Sequence, residues 1–170
     1  MKSKNIIILL AIICIFFISI AFLYKTIQIA KYREIMYQSF PVFSLYDVQG
    51  KIFTQDSLKN LPTLFLYFDP ECETCHSEFK HIKLNQDAFH NSQIIFFSIQ
   101  PADTIIHFLN SIDFSPSLNM IFLIDIQAEL SKMIEIKGPP SSLIYNKNGK
   151  LIKRFDGPVK VETLIKYLSE

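Results

Sequence analysis

A chain of 170 residues has room for one compact domain and a short additional segment. Its 17 Lys and Arg against 16 Asp and Glu leave a formal net charge of +1, with no long basic run. That balance argues against a nucleic-acid partner, and none is expected. Apolar residues make up 49% of the chain, and part of the excess sits at one end.

Behind Lys2 and Lys4, residues 5–24 carry no charge and are dominated by Ile, Leu and Phe. Twenty helical residues reach about 30 Å, the thickness of the hydrocarbon core of a bilayer. The helix of a soluble core would show a polar face, and this segment has none beyond Ser19. Residues 1–24 are therefore read as a single membrane span. Ser19-Ile20-Ala21 is a passable cleavage site, and bulky Ile13 stands before Cys14 where a lipoprotein signal resembles its relatives in having a small residue. The apolar run exceeds the about 7–15 residues of a signal-peptide centre, so an uncleaved signal-anchor is expected. Cys14 reads as a small hydrophobe within it. Lys2 and Lys4 favour a cytoplasmic N-terminus, although Lys25, Lys31 and Arg33 weaken the bias.

Residues 25–39 are mixed and polar and are read as a linker, leaving 40–170 as the folded domain. Residues 40–45 alternate like a strand and run into a turn signal at Asp47-Val48-Gln49-Gly50. Continuous apolar runs over 64–68, 93–99 and 120–124 predict strands buried on both faces. Between them, Cys75, Phe79 and Ile82 share one helical face, as do Ile105, Phe108, Leu109 and Ile112. Leu143-Ile144-Tyr145 and Leu151-Ile152 flank a loop containing Asn148-Gly149, a hairpin signal. Val161, Leu164, Ile165 and Leu168 then repeat at helical spacing. Strands alternating with helices, closed by a hairpin and a helix, predict an α/β domain with a mixed sheet.

Chemistry concentrates at Cys72-Glu73-Thr74-Cys75, placed after a buried strand and at the start of a helix pattern. Free N–H groups and the dipole at a helix N-terminus stabilise a thiolate, and positions three apart share a face. One sulfur can attack a client disulfide while its neighbour resolves the mixed disulfide. A structural disulfide is a weak alternative, because so small a loop restrains the unfolded chain little. Zinc would have to draw its remaining ligands from His76, His81, His90 and His107, with no second Cys pair, and no metal is expected. Cys72-Glu73-Thr74-Cys75-His76 also matches the c-type haem attachment motif, with Met120 or Met133 as a second axial ligand. A copper-handling module using the two thiolates and a histidine is the further alternative.

Taken in order, these features resemble the membrane-anchored thioredoxin-like reductases of bacterial envelopes, the group that includes the cytochrome-c-maturation thioredoxins. Residues 40–51 look like that family's opening strand and turn, and 64–68 leads into the Cys-x-x-Cys helix as it does there. Cys-Glu-Thr-Cys resembles the family's Cys-Glu-Pro-Cys, and Glu78 matches a glutamate of its extended motif. Gly138-Pro139-Pro140-Ser141-Ser142 resembles the loop bearing the family's cis-proline, and its distance from Cys75 suits members with an additional strand and helix. The resemblance implies a thioredoxin-like fold and a thiol–disulfide oxidoreductase whose only redox group is the Cys72–Cys75 disulfide. It also implies clients with disulfides, such as apocytochrome c, and a membrane thiol-electron transporter as reductant. The domain would then face the extracytoplasmic side of the cytoplasmic membrane. Three positions depart from the pattern: Glu71 stands where Trp is common, Thr74 replaces Pro, and Leu66 occupies a strand position often polar in relatives. Peroxiredoxins share the fold, but neither cysteine fits their Pro-x-x-x-Thr-x-x-Cys pattern.

Cys72 is therefore expected as nucleophile and Cys75 as resolving thiol. Glu71 and Glu73 are expected to raise the Cys72 pKa, with the helix terminus and His76 opposing them. An acid-flanked thiolate is a poorer leaving group, which favours a reducing pair. A lone helical Glu is ordinarily solvated, yet Glu78 shares a face with Cys75 and is a candidate proton shuttle. A cis-Pro140 would set the Pro139 backbone alongside an extended client, and Pro139 has no N–H to donate.

Overall fold

The computed structural model describes residues 2–37 and 39–169 and divides them at Met36/Tyr37 into two units. The N-terminal unit is one helix, α1 (Lys2–Tyr37). Its stretch Ile7–Ile29 is long and apolar enough to cross a membrane, a property it shares with signal sequences. Residues 25–37 of the expected linker are helical, and Ser39 lies beyond the helix.

Among the described residues, the second unit carries seven strands: β1 (Ser44–Asp47), β2 (Ile52–Thr54), β3 (Thr63–Tyr67), β4 (Gln93–Ser98), β5 (Met120–Ile124), β6 (Ser141–Tyr145) and β7 (Leu151–Asp156). They form one sheet in the order β2-β1-β5-β4-β3-β6-β7. β3, β4 and β5 run parallel, while β6 pairs antiparallel with both β3 and β7. The mixed sheet and its closing hairpin are as expected. Gly149 serves the hairpin loop at φ 78°, and a Cβ there would meet the Phe40 ring at 3.0 Å.

The sheet is covered by α2 (Glu73–Leu84), α3 (Ala102–Ser111), α4 (Glu129–Met133) and α5 (Val161–Leu168). Leu64, Leu66 and Phe68 of β3 and its extension meet α2, α3 and α5 on one face, and Phe65 and Tyr67 meet α4 and Phe43 on the other. Period-two alternation with both faces covered explains why these strands read as unbroken apolar runs. The first face is a bed of phenylalanines: Phe79 contacts Phe68, Phe96, Phe108 and Phe114 with ring centroids 4.9–5.4 Å apart. Each buried Phe contributes roughly 1.5–3 kcal/mol from removal of apolar surface from water.

Two boundaries differ from expectation. The opening strand starts at Ser44 rather than Phe40; Pro41 has no N–H for a ladder, and Phe40 and Phe43 instead lay their rings on Phe65. α3 ends at Ser111, with Ile112 as its C-cap and Asp113 at φ 50° turning the chain out. β2 and α4, absent from the sequence reading, are three and five residues long.

Candidate active site

β3 delivers the chain to Asp69 at the carboxyl edge of the sheet, and a tight turn passes it into α2. The Asp69 carboxylate accepts the Glu71 N–H at 2.9 Å and the Gln100 side-chain amide at 3.2 Å. The Cys72 N–H donates to the Asp69 carbonyl at 3.0 Å. His76, one turn into the helix, bonds the Pro70 carbonyl through Nε2 at 2.7 Å and sets its ring edge against Phe108. Cys72 is thereby held as the N-cap of α2, its sulfur accepting the Cys75 N–H at 3.3 Å.

The two thiols sit in opposite environments. Cys72 is half-buried and Cys75 is fully buried, against the phenylalanine bed. Burial raises the Cys72 pKa, but hydrogen bonds from Cys75 and from Thr74, whose hydroxyl lies 3.0 Å from the sulfur, outweigh it and leave the thiol below its ordinary value. The expectation that Glu71 and Glu73 hold this thiol up is thus overturned. Both carboxylates are exposed and screened by water, whereas the donors touch the sulfur. His76 is spent on Pro70 rather than on the thiolate. Cys75 is pushed far upward, first by burial and then by its hydrogen bond to Cys72.

Glu78 is 5% exposed and lies on the buried face of α2 with Cys75, Phe79 and Ile82. Neither carboxyl oxygen has a hydrogen-bond partner, and burial raises its pKa to about 7. Its charge in turn helps to hold Cys75 up. A cleft of about 350 Å³, lined by Thr74, Ser77, Glu78, His81 and residues 158–160, reaches this carboxyl. The solvated-helix reading of Glu78 is therefore excluded, and a group that titrates near neutrality lies one turn beyond the buried thiol.

Across from the helix terminus, the Pro139–Pro140 bond is cis. Pro139 is exposed, Pro140 is buried, and the Cys72 thiol donates to the Pro139 carbonyl at 3.8 Å. Cys72, Cys75, Glu78, Pro139 and Pro140 are thus gathered around one helix end. Thr74, His76 and Gln100 belong to the same site; sequence reasoning placed His76 there as an aid to the thiolate, and missed the parts played by Thr74 and Gln100. The hydroxyl between two cysteines was the available signal for Thr74, whereas Gln100 is 31 positions from Asp69 and carries none. Among the described residues, no three His, Cys, Asp or Glu side chains come together as a metal-binding group.

An accessible thiol stacked over a buried one at a helix N-terminus, on a mixed sheet of this order, is a redox-exchange geometry. The family model described as Redoxin matches residues 37–168. This chain belongs to the Redoxin family. It is accordingly a thioredoxin-like thiol–disulfide oxidoreductase, as the sequence resemblance implied. Among solved structures, the redoxin is similar to StoA from Bacillus subtilis at 20% identity and a TM-score of 0.62, over 76% of this chain and 96% of that one. The thiol:disulfide interchange protein of Chlorobium tepidum TLS is 18% identical with a TM-score of 0.65, over 78% and 94%. A cysteine-to-serine mutant of the peroxiredoxin 6 of Arenicola marina is 12% identical with a TM-score of 0.69, over 78% and 71%. At these identities the likeness is one of fold. No curated protein matches the chain.

Proposed function

We propose that this redoxin is a membrane-anchored reductase of protein disulfides, working through Cys72 and Cys75 on the extracytoplasmic side of the cytoplasmic membrane. The observation that carries the exchange chemistry is the pairing of a half-exposed thiol of lowered pKa with a buried thiol of raised pKa, next to an unpartnered carboxyl that titrates near 7. The lowered Cys72 thiol removes the leaving-group argument for a reducing pair, and the direction rests on the resemblance to the envelope reductases alone. The Cys72 thiolate attacks one sulfur of a client disulfide, forming a mixed disulfide and releasing the first client thiolate, which takes a proton from water. Cys75 then gives its proton to Glu78 and attacks the Cys72 sulfur, releasing the second client thiolate. Two electrons have passed to the client, and the chain holds a Cys72–Cys75 disulfide as its only redox group. A membrane thiol-electron transporter restores the dithiol, and α1 holds the domain at the membrane where that partner resides. Clients are envelope proteins with accessible disulfides, apocytochrome c among them, presented as extended segments against Pro139.

Burial of Cys75 weighs against the haem and copper alternatives, since both need the two sulfurs reachable by one bound group. The test is capture on the full chain carrying Cys75→Ser, which forms the mixed disulfide but cannot resolve it. Disulfide-linked envelope proteins released by dithiothreitol are expected, and their absence refutes the reading. Titration in glutathione buffers checks direction: a potential nearer the about −270 mV of thioredoxin than the about −120 mV of DsbA is expected.

A further inference from the structure

Pro139 hangs on the loop between α4 and β6, so the loop's anchors decide where its carbonyl stands relative to Cys72. The loop's far end is held locally: the Ser141 hydroxyl donates to the Gly138 carbonyl at 2.6 Å, and the Gly157 N–H donates to the Pro140 carbonyl at 2.9 Å. Its near end is held from the outer strand of the sheet by Asp156, which pairs with Lys137 at 3.6 Å, and above all by Arg154. Arg154 of β7 donates Nη1 to the Ile134 carbonyl at 2.6 Å and Nη2 to the Glu135 carbonyl at 2.6 Å. Its Nε donates to the Asp156 carboxylate at 2.8 Å, which fixes the plane of the guanidinium. The side chain is only 19% exposed although it projects from an edge strand.

Ile134 is the C-cap of α4, and Glu135, at φ 52°, turns the chain out of that helix in a left-handed conformation. The end of this short helix is closed by its own backbone, the Ile134 N–H donating to the Leu130 carbonyl at 3.0 Å and the Ile136 N–H to the Ser131 carbonyl at 2.8 Å, but these bonds do not tie it to the sheet. The rigid fork of an arginine, aimed at two consecutive carbonyls, makes that tie to β7. Lysine has no such fork, because its point charge reaches one acceptor well at a time.

We infer that Arg154 is a positioning residue for disulfide exchange, fixing the Pro139 loop against Cys72 so that an extended client segment meets the sulfur in line. The role rests on the client reading proposed above and adds to it a residue outside the cysteine helix. It acts on substrates that lie along the loop and leaves untouched those small enough to reach Cys72 without it.

The test compares two substrates of the full chain in detergent micelles, with dithiothreitol as electron source: insulin, whose disulfides are flanked by peptide, and dithiobis(nitrobenzoic acid), a small aryl disulfide. For Arg154→Gln, kcat/KM toward insulin is expected to fall about tenfold to a hundredfold, chiefly through KM, because misplacement of about 1 Å has that effect on exchange rates. The aryl disulfide rate and the pH profile of Cys72 alkylation are expected to stay within about twofold of the parent. Arg154→Lys, which keeps the charge and the stem, is expected to fall between them and serves as the measured variant if the Gln form does not fold. Equal slowing of both substrates would make Arg154 a general structural residue and overturn the inference. So would an unchanged insulin rate. A parent chain inert toward insulin yet reactive with the aryl disulfide would instead refute the client reading, and this role with it.

Discussion

Replacing Glu78 with Gln keeps the shape of a buried side chain and removes its titration. In the folded chain the carboxyl is pushed up to about 7, from an ordinary 4.5, by burial alone. The unfolded chain therefore loses this proton first as pH rises. Stability contributed by the protonated carboxyl is complete below 4.5 and drains away as pH climbs through 7. At about 1.36 kcal/mol per pH unit, the move from 4.5 to about 7 corresponds to roughly 3 kcal/mol, which is of order 10 °C in Tm for a domain of this size. Glu78→Gln is free of that dependence. Its own buried amide adds a constant offset, so the informative quantity is how the difference between the two proteins changes with pH. Urea unfolding of the reduced full chain in micelles, from about pH 4 to about pH 8, reads it directly. The parent is expected to lose roughly 3 kcal/mol relative to the variant across that range, with most of the change between about pH 5 and 8. The thiols and histidines are common to both proteins and largely cancel. A difference that stays flat across the range would mean that Glu78 is ionised and solvated, and the proposed acceptor of the Cys75 proton would be lost with it.

Thr74→Val removes the hydroxyl 3.0 Å from the Cys72 sulfur. The alkylation profile of Cys72 is then expected to move toward higher pH by up to about one unit, the equivalent of one hydrogen bond to a charged acceptor; an unmoved profile would assign the lowered thiol to Cys75 and the helix terminus. Pro139→Ile adds a main-chain N–H where an extended client would lie. Non-covalent complexes with peptide clients are expected to tighten by about 0.5–1.5 kcal/mol, measured as a lower dissociation rate of a Cys-to-Ser client analogue. Unchanged binding would place the client elsewhere.

The central strands were legible because burial on both faces writes itself as unbroken apolar runs: 64–68, 93–99 and 120–124 coincide with β3, β4 and β5 to within one residue at each end. Short elements were not. β2 has three residues, and α4 has five and opens on Ala128 at φ 55°, so neither is long enough to show a period. The same distinction holds within the site. Cys72, Cys75 and Glu78 lie on one helix, where spacing alone assigns faces, and their register was readable. The direction of the Cys72 shift was not, because sequence proximity placed Glu71 and Glu73 beside the sulfur while their exposed carboxylates are screened. Contacts from Gln100 to Asp69, and from Arg154 to Ile134 and Glu135, span 19 to 31 positions and depend on topology.

One structural cause lies behind the different behaviour of the two thiols and of Glu78. Leu66, Phe68, Phe79 and Phe96 fill the space beneath α2 with apolar surface and offer Cys75 and Glu78 no charge of opposite sign. In such a bed any group prefers its neutral form, so Cys75 stays a thiol and Glu78 holds its proton up to neutral pH. Cys72, one turn earlier, touches only the edge of the bed and, as N-cap, gathers the helix-end N–H and the Thr74 hydroxyl, which outweigh its partial burial. A polar side chain at Leu66 would give the buried thiol a second route for its proton and relieve Glu78 of that duty. Leu66→Asp therefore belongs in the Glu78→Gln background: recovery there of the resolving step's pH dependence, read from mixed-disulfide decay, follows if proton transfer out of the bed is what Glu78 supplies. Failure to recover would mean that Glu78 acts on Cys75 only through its charge.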